Sequence, residues 1–322
     1  MTTIRGALRD LVMSPALVDV TFAKRGFSAE PSAVTEHLEA VPQAVICGFE
    51  WGIAARNQWE VERRLDMVAP ELRGFAYEGA TMAFTILDSM GRGHRARDLL
   101  LGPGRPHIFL AYIGMGFAMA RLPRPVWKKV LPDLTGCEFH PTMSWLVVDG
   151  YGFDRAYFDT KRWVDAQHTP APYPWDGAPD YFLRAVDQGI GRALWFICGA
   201  NVTDVAAAVG RFASHRHADL WSGVGLAAAF AGGSDASGLA ALRRACGEYW
   251  TELSLGVVFA IKARTYANFL PPHTELAGSA LADLSAQAAV ALADSTSPNG
   301  RGSDVPAYEV WRQNIRARLA AR

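Results

Sequence analysis

Five carboxylates stand in surroundings where a charge is costly. Glu78 lies between Phe75-Ala-Tyr77 and Gly79-Ala-Thr-Met-Ala-Phe84, and Asp149 follows Trp-Leu-Val-Val and precedes Gly-Tyr-Gly-Phe. Asp187 precedes Gln-Gly-Ile-Gly-Arg-Ala-Leu-Trp-Phe, Asp219 precedes Leu-Trp-Ser-Gly, and Glu50 lies in Cys-Gly-Phe-Glu-Trp-Gly-Ile. A carboxylate inside an apolar body must be paired, hydrogen-bonded or protonated. One reading makes these groups helix caps and inter-helix hydrogen-bonding partners. The sharper reading places a subset on one enclosed pocket, where burial raises a carboxyl pKa and makes it a general acid. On that reading Glu78, Asp149 and Asp187 are the catalytic candidates. Many aromatics adjoin them: Tyr77, Tyr112, Tyr151, Phe153, Trp195 and Trp221. With Asp219 and Arg192 as polar points, an aromatic wall of this kind suits an apolar, unsaturated ligand. Arg192 follows Asp187 by five residues, so it either neutralises that acid or holds an anionic group of a ligand.

Other catalytic templates fit poorly. The chain has no Glu-x-x-His, no His-Glu-x-x-His, no Gly-x-Ser-x-Gly elbow and no Walker loop, so bundle di-metal, zincin, hydrolase-elbow and P-loop chemistries lack their signatures. His215, His217 and Asp219 offer three possible metal ligands within five residues, but such a cluster reads first as a polar loop before a helix. No metal and no cofactor are expected.

The elements that must position these groups are repeated. Residues 112–120 and 221–229 both read aromatic-x-Gly-x-Gly-apolar-Ala-x-Ala. Gly79 lies 35 residues before Gly114, and Gly189 lies 34 before Gly223. Gly150 lies 36 residues after Gly114, and Gly256 lies 33 after Gly223. Three landmarks in one order at near-equal spacing point to an internal duplication. The reading is an all-α protein, one body of two divergent units of about 100 residues packed about a pseudo-twofold axis. The expected divisions are an N-terminal helical segment (1–65), unit 1 (66–165), a Pro-rich connector (166–177), unit 2 (178–270) and a C-terminal helical segment (271–322). On a helix, Gly114/Ala118 and Gly116/Ala120 form small-residue ridges, as do Gly223/Ala227 and Gly225/Ala229, and let another backbone come close. A dinucleotide loop is the rival reading of Gly-Val-Gly-Leu-Ala-Ala. It lacks the preceding apolar strand, since Ser-His-Arg-His-Ala-Asp-Leu-Trp stands there.

Trp145–Phe158 is ambiguous alone, but its partner Trp250–Arg264 has helical length and period, so both are expected to be helices. Thr203 and Ser237 are expected caps, and Asp294–Asp304 an irregular loop.

Composition bounds the rest. Lys+Arg and Asp+Glu are 32 each in 322 residues, so no global field attracts nucleic acid or an anionic membrane. Half the residues are apolar, enough for a large core. Four scattered cysteines without a CxxC pair read as free thiols. Arg9 and Asp10 interrupt the stretch where a signal peptide needs its apolar run. The longest apolar run, Ile108 to Ala120, has 13 residues, too short for a bilayer. A cytoplasmic location without a transmembrane span is expected.

Five strings in order carry a family resemblance: Gly-Phe-Ala-Tyr-Glu-Gly-Ala (74–80), Asp-Gly-Tyr-Gly-Phe (149–153), Asp-Gln-Gly-Ile-Gly-Arg-Ala-Leu-Trp-Phe (187–196), Ala-Asp-Leu-Trp-Ser-Gly-Val-Gly-Leu-Ala (218–227) and Tyr-Glu-Val-Trp-Arg (308–312). Over roughly residues 70–320 the chain resembles a family of unknown-function proteins found among enediyne biosynthesis proteins of actinobacteria. Relatives carry a histidine after the second string, where this chain has Asp154. The resemblance implies a setting, small-molecule biosynthesis on a long, unsaturated, apolar precursor, with other enzymes of the pathway as partners. It carries over no catalytic residue. Two functions follow as expectations. One is a biosynthetic enzyme that enfolds a polyene-type substrate, an enediyne precursor or an isoprenoid, and assists cyclisation or rearrangement by carboxyl acid–base chemistry. The other is a non-catalytic accessory or carrier protein of the same pathway.

Overall fold

The computed structural model describes residues 16–27, 29–298 and 305–322. Those residues are mostly helical and contain no strand, as the sequence predicts. The α-helices are α1 (Phe22–Arg25), α2 (Ala33–Ala54), α3 (Gln58–Asp66), α4 (Pro70–Met90), α5 (Arg95–Leu101), α6 (Ile108–Arg121), α7 (Trp145–Phe158), α8 (Pro179–Ile197), α9 (Val202–Gly210), α10 (Ser214–Ala231), α11 (Ala236–Ala245), α12 (Trp250–Tyr266), α13 (Pro272–Ala282), α14 (Ala286–Thr296) and α15 (Ala307–Ala320). The ambiguous segment Trp145–Phe158 is a helix, as is its proposed counterpart.

Local chemistry sets the helix ends. Asn57 caps α3 through the Glu60 amide, and Ser285 caps α14 through that of Ala288. Pro70, Pro179 and Pro272 occupy first turns, where a missing N–H costs nothing. Two expected caps are displaced by two residues: Asn201, not Thr203, caps α9, and Asp235, not Ser237, caps α11. Both true caps sit in the extended backbone a capping residue needs, and Ser237 hydrogen-bonds to Asp235. The expected loop at Asp294–Asp304 begins later, because α14 continues to Thr296, whose hydroxyl bonds back to Leu292. Positions 299–304 of that loop, and residues 1–15 of the N-terminal segment, lie outside the described residues. His215-Arg-His217-Ala-Asp219 is not a loop but the start of α10.

Contacts divide the chain into two units. The first is Met1–Gly26 with Glu39–Tyr151, and the second is Phe27–Leu38 with Gly152–Arg322. The boundary between the two units falls within α7, between Tyr151 and Gly152. In the first unit α4 packs on α6, and α3 and α5 cover α4. Val61, Leu65, Ala76, Ala80, Phe84, Ala96 and Leu99 form an apolar cluster there. In the second unit α10 lies between α8 and α12; α13, α14 and α15 pack on α12. Both α6 and α12 are buried through most of their length, Ile108–Ala120 and Leu253–Arg264. Helices enclosed on all sides are apolar on most of their surface, and the polar groups that α12 buries are partnered. Ser254 donates to the Leu281 carbonyl, Lys262 pairs with Asp294 and Arg264 donates to the Phe230 carbonyl.

Glycines set the inter-helix distances. A methyl group at Gly114 would land on the carbonyl oxygen of Glu78, one at Gly116 on that of Val147, and one at Gly150 on that of Ile113. In the second unit a methyl at Gly223 meets the carbonyl of Gln188, at Gly225 that of Leu253, and at Gly256 that of Ser222. The two sets share one register. Glu78 and Gln188 each precede a landmark glycine, Val147 and Leu253 lie three residues before Gly150 and Gly256, and Ile113 and Ser222 immediately precede Gly114 and Gly223. Backbones this close leave no room for any side chain at the contact.

Replacing Gly116 or Gly225 by Ala is expected to destabilise its unit by about 1–3 kcal/mol or more through overpacking. Gly210→Ala, where nothing lies within 4 Å of the new methyl, is expected to be neutral or to gain up to about 1 kcal/mol. Chemical-denaturation midpoints of the three variants check this.

Candidate functional site

The first unit holds two of the three candidate acids. Glu78, in the middle of α4, and Asp149, in α7, are 2% and 0% exposed. Each is carried against the same stretch of α6: the main chain of Glu78 touches Gly114, and Gly150, next to Asp149, touches Ile113. The aromatics of this unit divide between packing and polar roles. Tyr77 belongs to the apolar cluster under α3 and α5 and stacks on the His107 ring at 4.5 Å. Burial, followed by the nearby Asp66 and Glu62 charges, pushes its pKa up to about 12. Tyr151 meets the edge of Trp127 at 5.1 Å, and the Arg124 guanidinium lies over the other ring of that pair, Trp127, at 5.3 Å. The Tyr112 hydroxyl stands 3.0 Å from Nδ1 of His140, a residue that sequence reasoning did not single out.

The second unit treats its acids differently. Asp187 is buried and held by a bidentate guanidinium: Arg216 Nε lies 3.0 Å from Oδ2 and 3.1 Å from Oδ1, and Nη2 also bonds Oδ1. The neutralising residue is thus Arg216 and not Arg192. Burial pushes the Asp187 carboxyl above its ordinary value, an effect that Arg216 partly offsets. Asp219 is clamped by two guanidinium groups, Arg184 Nε at 2.9 Å and Arg312 Nη2 at 2.8 Å. Glu309 continues the network. It accepts from the Tyr181 hydroxyl (2.9 Å), Arg312 Nη1 (3.1 Å), Arg184 Nη2 (3.2 Å) and Arg316 Nη2 (2.9 Å). Gln188, at the register position of Glu78, shares hydrogen bonds with the Tyr308 hydroxyl at 2.9 and 3.1 Å. Leu255 stands at the register position of Asp149.

The remaining candidates of this unit serve packing as well as polarity. The Arg192 guanidinium lies 5.0 Å above the Phe153 ring, which is edge-on to Phe196 and stacked on Tyr157. This is cation–π geometry. Trp195 is fully buried and donates its indole N–H to the Gly232 carbonyl at 2.8 Å. Trp221 is buried in the middle of α10. His217 bonds the Phe212 carbonyl through Nε2 at 2.7 Å. With Asp219 taken up by arginines, the His215–Asp219 run is built as the first turns of a helix. Sequence reasoning missed Arg184, Arg216, Glu309 and Arg312. Glu309, Arg312 and Arg316 fall on one helical face at i, i+3 and i+7 of the amphipathic last helix, which is the signal that was available.

No single helix among the described residues is long and apolar enough to cross a membrane; α13 and α14 pass together by length and composition but bend by 68° between them. Residues 4–319 match the family described as "Protein of unknown function (DUF1702)", and the chain belongs to it. The comparisons with curated proteins and with solved structures gave no match.

The arginine network makes a pH prediction. Burial pushes the Glu309 carboxyl up, but Arg312, Arg184 and Arg316 outweigh it and bring the pKa from 4.5 down to about 2. A depressed folded-state pKa gives stability that is present above the unfolded value and lost as pH falls through the folded one. Glu309 is therefore expected to contribute about 3 kcal/mol at pH 7, fading between about pH 5 and pH 2. Thermal melts check it: Glu309→Gln should lower Tm at pH 7 and flatten the loss of Tm on acidification relative to the parent chain.

Proposed function

We propose that this member of the DUF1702 family is a biosynthetic enzyme whose first unit holds an acid–base site formed by Glu78 and Asp149. The observation that carries the reading is the difference between the two sets of glycine-spaced helices. The contacts are in the same register, yet the first set buries two carboxylates where the second has Gln188 and Leu255. The acids of the second set, Asp187 and Asp219, are consumed by arginines, as structural ion pairs are. The same glycine contact is made with an amide and an aliphatic in the second set, which supports a role for the carboxylates of the first set beyond the helix contact itself. The shared register also supports descent of both sets from one helix triplet.

The chemistry suits an apolar substrate. In an enclosed, mostly hydrocarbon environment one carboxyl group supplies a proton and its neighbour receives one, and exclusion of water protects reactive intermediates. With the enediyne-pathway resemblance of the sequence, the reading is cyclisation or rearrangement of a long polyene-type precursor. It would take place in the cytoplasm beside other enzymes of the pathway, with no nucleic-acid partner. Asp187 leaves the catalytic set and becomes structural, while Tyr112 and Tyr151 remain as walls near the acids.

The test uses cells that make the chain together with its neighbouring genes. Glu78→Gln and Asp149→Asn keep size and hydrogen bonding but remove the acidic proton. Each is expected to reduce the pathway product by about a hundred-fold or more, with an uncyclised precursor accumulating in the mass-spectrometric profile at unchanged protein level. An unaltered profile in both variants contradicts the enzyme reading and leaves a carrier or accessory role.

A further inference from the structure

The Tyr112 and His140 side chains differ in their access to water. Tyr112 is 0% exposed, whereas His140, in the segment before α7, is half-buried. Their rings are nearly parallel, 17° between planes with centroids 6.5 Å apart, and Oη lies 3.0 Å from Nδ1. Tyr112 lies one helical turn before Gly116, so both occupy one side of α6. Gly116 touches α7 at Val147 and Tyr151, the turn that contains Asp149.

Hydrogen-bond chemistry gives this pair two states. A neutral imidazole with its proton on Nε2 has a bare Nδ1, and the phenol donates to it. An imidazolium donates from both nitrogens, so the bond reverses: Nδ1–H donates to Oη and the phenolic proton is released toward the interior. A free phenolate is costly here, because burial, and then the neighbouring Cys137, pushes the Tyr112 pKa well above its ordinary value. Tyr112 is therefore suited to passing a proton on while it receives one, and unsuited to storing charge.

We propose that His140 and Tyr112 form a proton relay that connects solvent to the buried acid–base site of the first unit. The relay deepens the reading of Glu78 and Asp149 and rests on it. In one turnover the Tyr112 hydroxyl proton passes to the reacting group or its carboxylate. The Nδ1 proton of the His140 imidazolium moves to Oη as this happens, and neutral His140 takes a proton from water. No electron changes hands, and the phenol ends as it began. Asp133 interacts with both His140 and Arg97 of α5, Glu138 lies two residues before His140, and Cys137 acts on Tyr112.

The test reads the isotope-labelled full chain by NMR from about pH 5 to pH 8, the range in which histidine changes charge. The expected result is one midpoint shared by the His140 ring nitrogens and the Tyr112 Cζ, with Nδ1 unprotonated in the neutral state. A Tyr112 Cζ that stays still while His140 titrates, a His140 that does not titrate, or a neutral ring carrying its proton on Nδ1 overturns the relay. Function is read in the producing cells with His140→Gln and Tyr112→Phe, each expected to lower product about a hundred-fold at unchanged protein level. Full product in both overturns the relay while the carboxylate site stands. Full product in Glu78→Gln and Asp149→Asn overturns the carboxylate reading and, with it, the relay that rests on it.

Discussion

The fold depends on contact between helix backbones at glycine. At Gly114, Gly116 and Gly150, and again at Gly223, Gly225 and Gly256, the surface of one helix meets a carbonyl of the next with no side chain between. Such contacts fix rotation and translation together, because a shift of one residue would bring a Cβ onto a peptide oxygen. They also bring whatever precedes or follows each glycine into the interior. Glu78, Asp149, Asp187 and Gln188 are all within four residues of one of these contacts, which is why the chain buries so many polar groups despite an apolar core.

Buried polar groups demand an account of their charge, and the two units give different ones. The second unit resolves it with arginines. Arg216 forks onto Asp187, and Arg184, Arg312 and Arg316 with Tyr181 enclose Asp219 and Glu309. A fully enclosed guanidinium such as that of Arg312, at 0% exposure, is tolerable only with such partners, and removing one of them leaves a costly charge behind. The network also fastens α15 to α8 and α10, so the last helix is held by charge as well as by Tyr308, Trp311 and Ile315. The first unit buries Glu78 on α4 and Asp149 on α7, and both helices pack on α6 through glycine contacts. Stability is the purpose that ion pairs of the first kind serve. On the proposed reading the acids of the first unit serve proton transfer instead.

Much of this was legible in the sequence, and the reasons are specific. Small residues spaced as at 112–120 and 221–229 have few uses on a helix other than close approach, so the glycine contacts could be anticipated. The burial of Glu78 and Asp149 could be read from the length of the apolar strings around them. Partners were not legible: Asp187 and Arg216 are 29 residues apart, and Asp219 and Arg312 are 93 apart. Arg192, five residues from Asp187, faces Phe153 instead, because five residues turn a helix through about 140° from the neighbouring face. The Tyr112–His140 pair spans 28 residues and has no local signature. The caps were misplaced for a simpler reason. Ser237 and Thr203 are good capping types, but Asp235 and Asn201 cap just as well and come first, and the first adequate residue ends the extended segment.

The proposed division between structural and working acids can be measured without knowing a substrate. The decisive comparison is the thermal midpoint of four carboxylate-to-amide variants, Asp187→Asn and Asp219→Asn against Glu78→Gln and Asp149→Asn. The account predicts a fall of about 5 °C or more for the first two, which strand buried guanidinium groups. It predicts no fall, or a rise, for the second two, because groups kept for function are commonly a burden on stability. Losses of equal size in all four would contradict it and make Glu78 and Asp149 part of the framework.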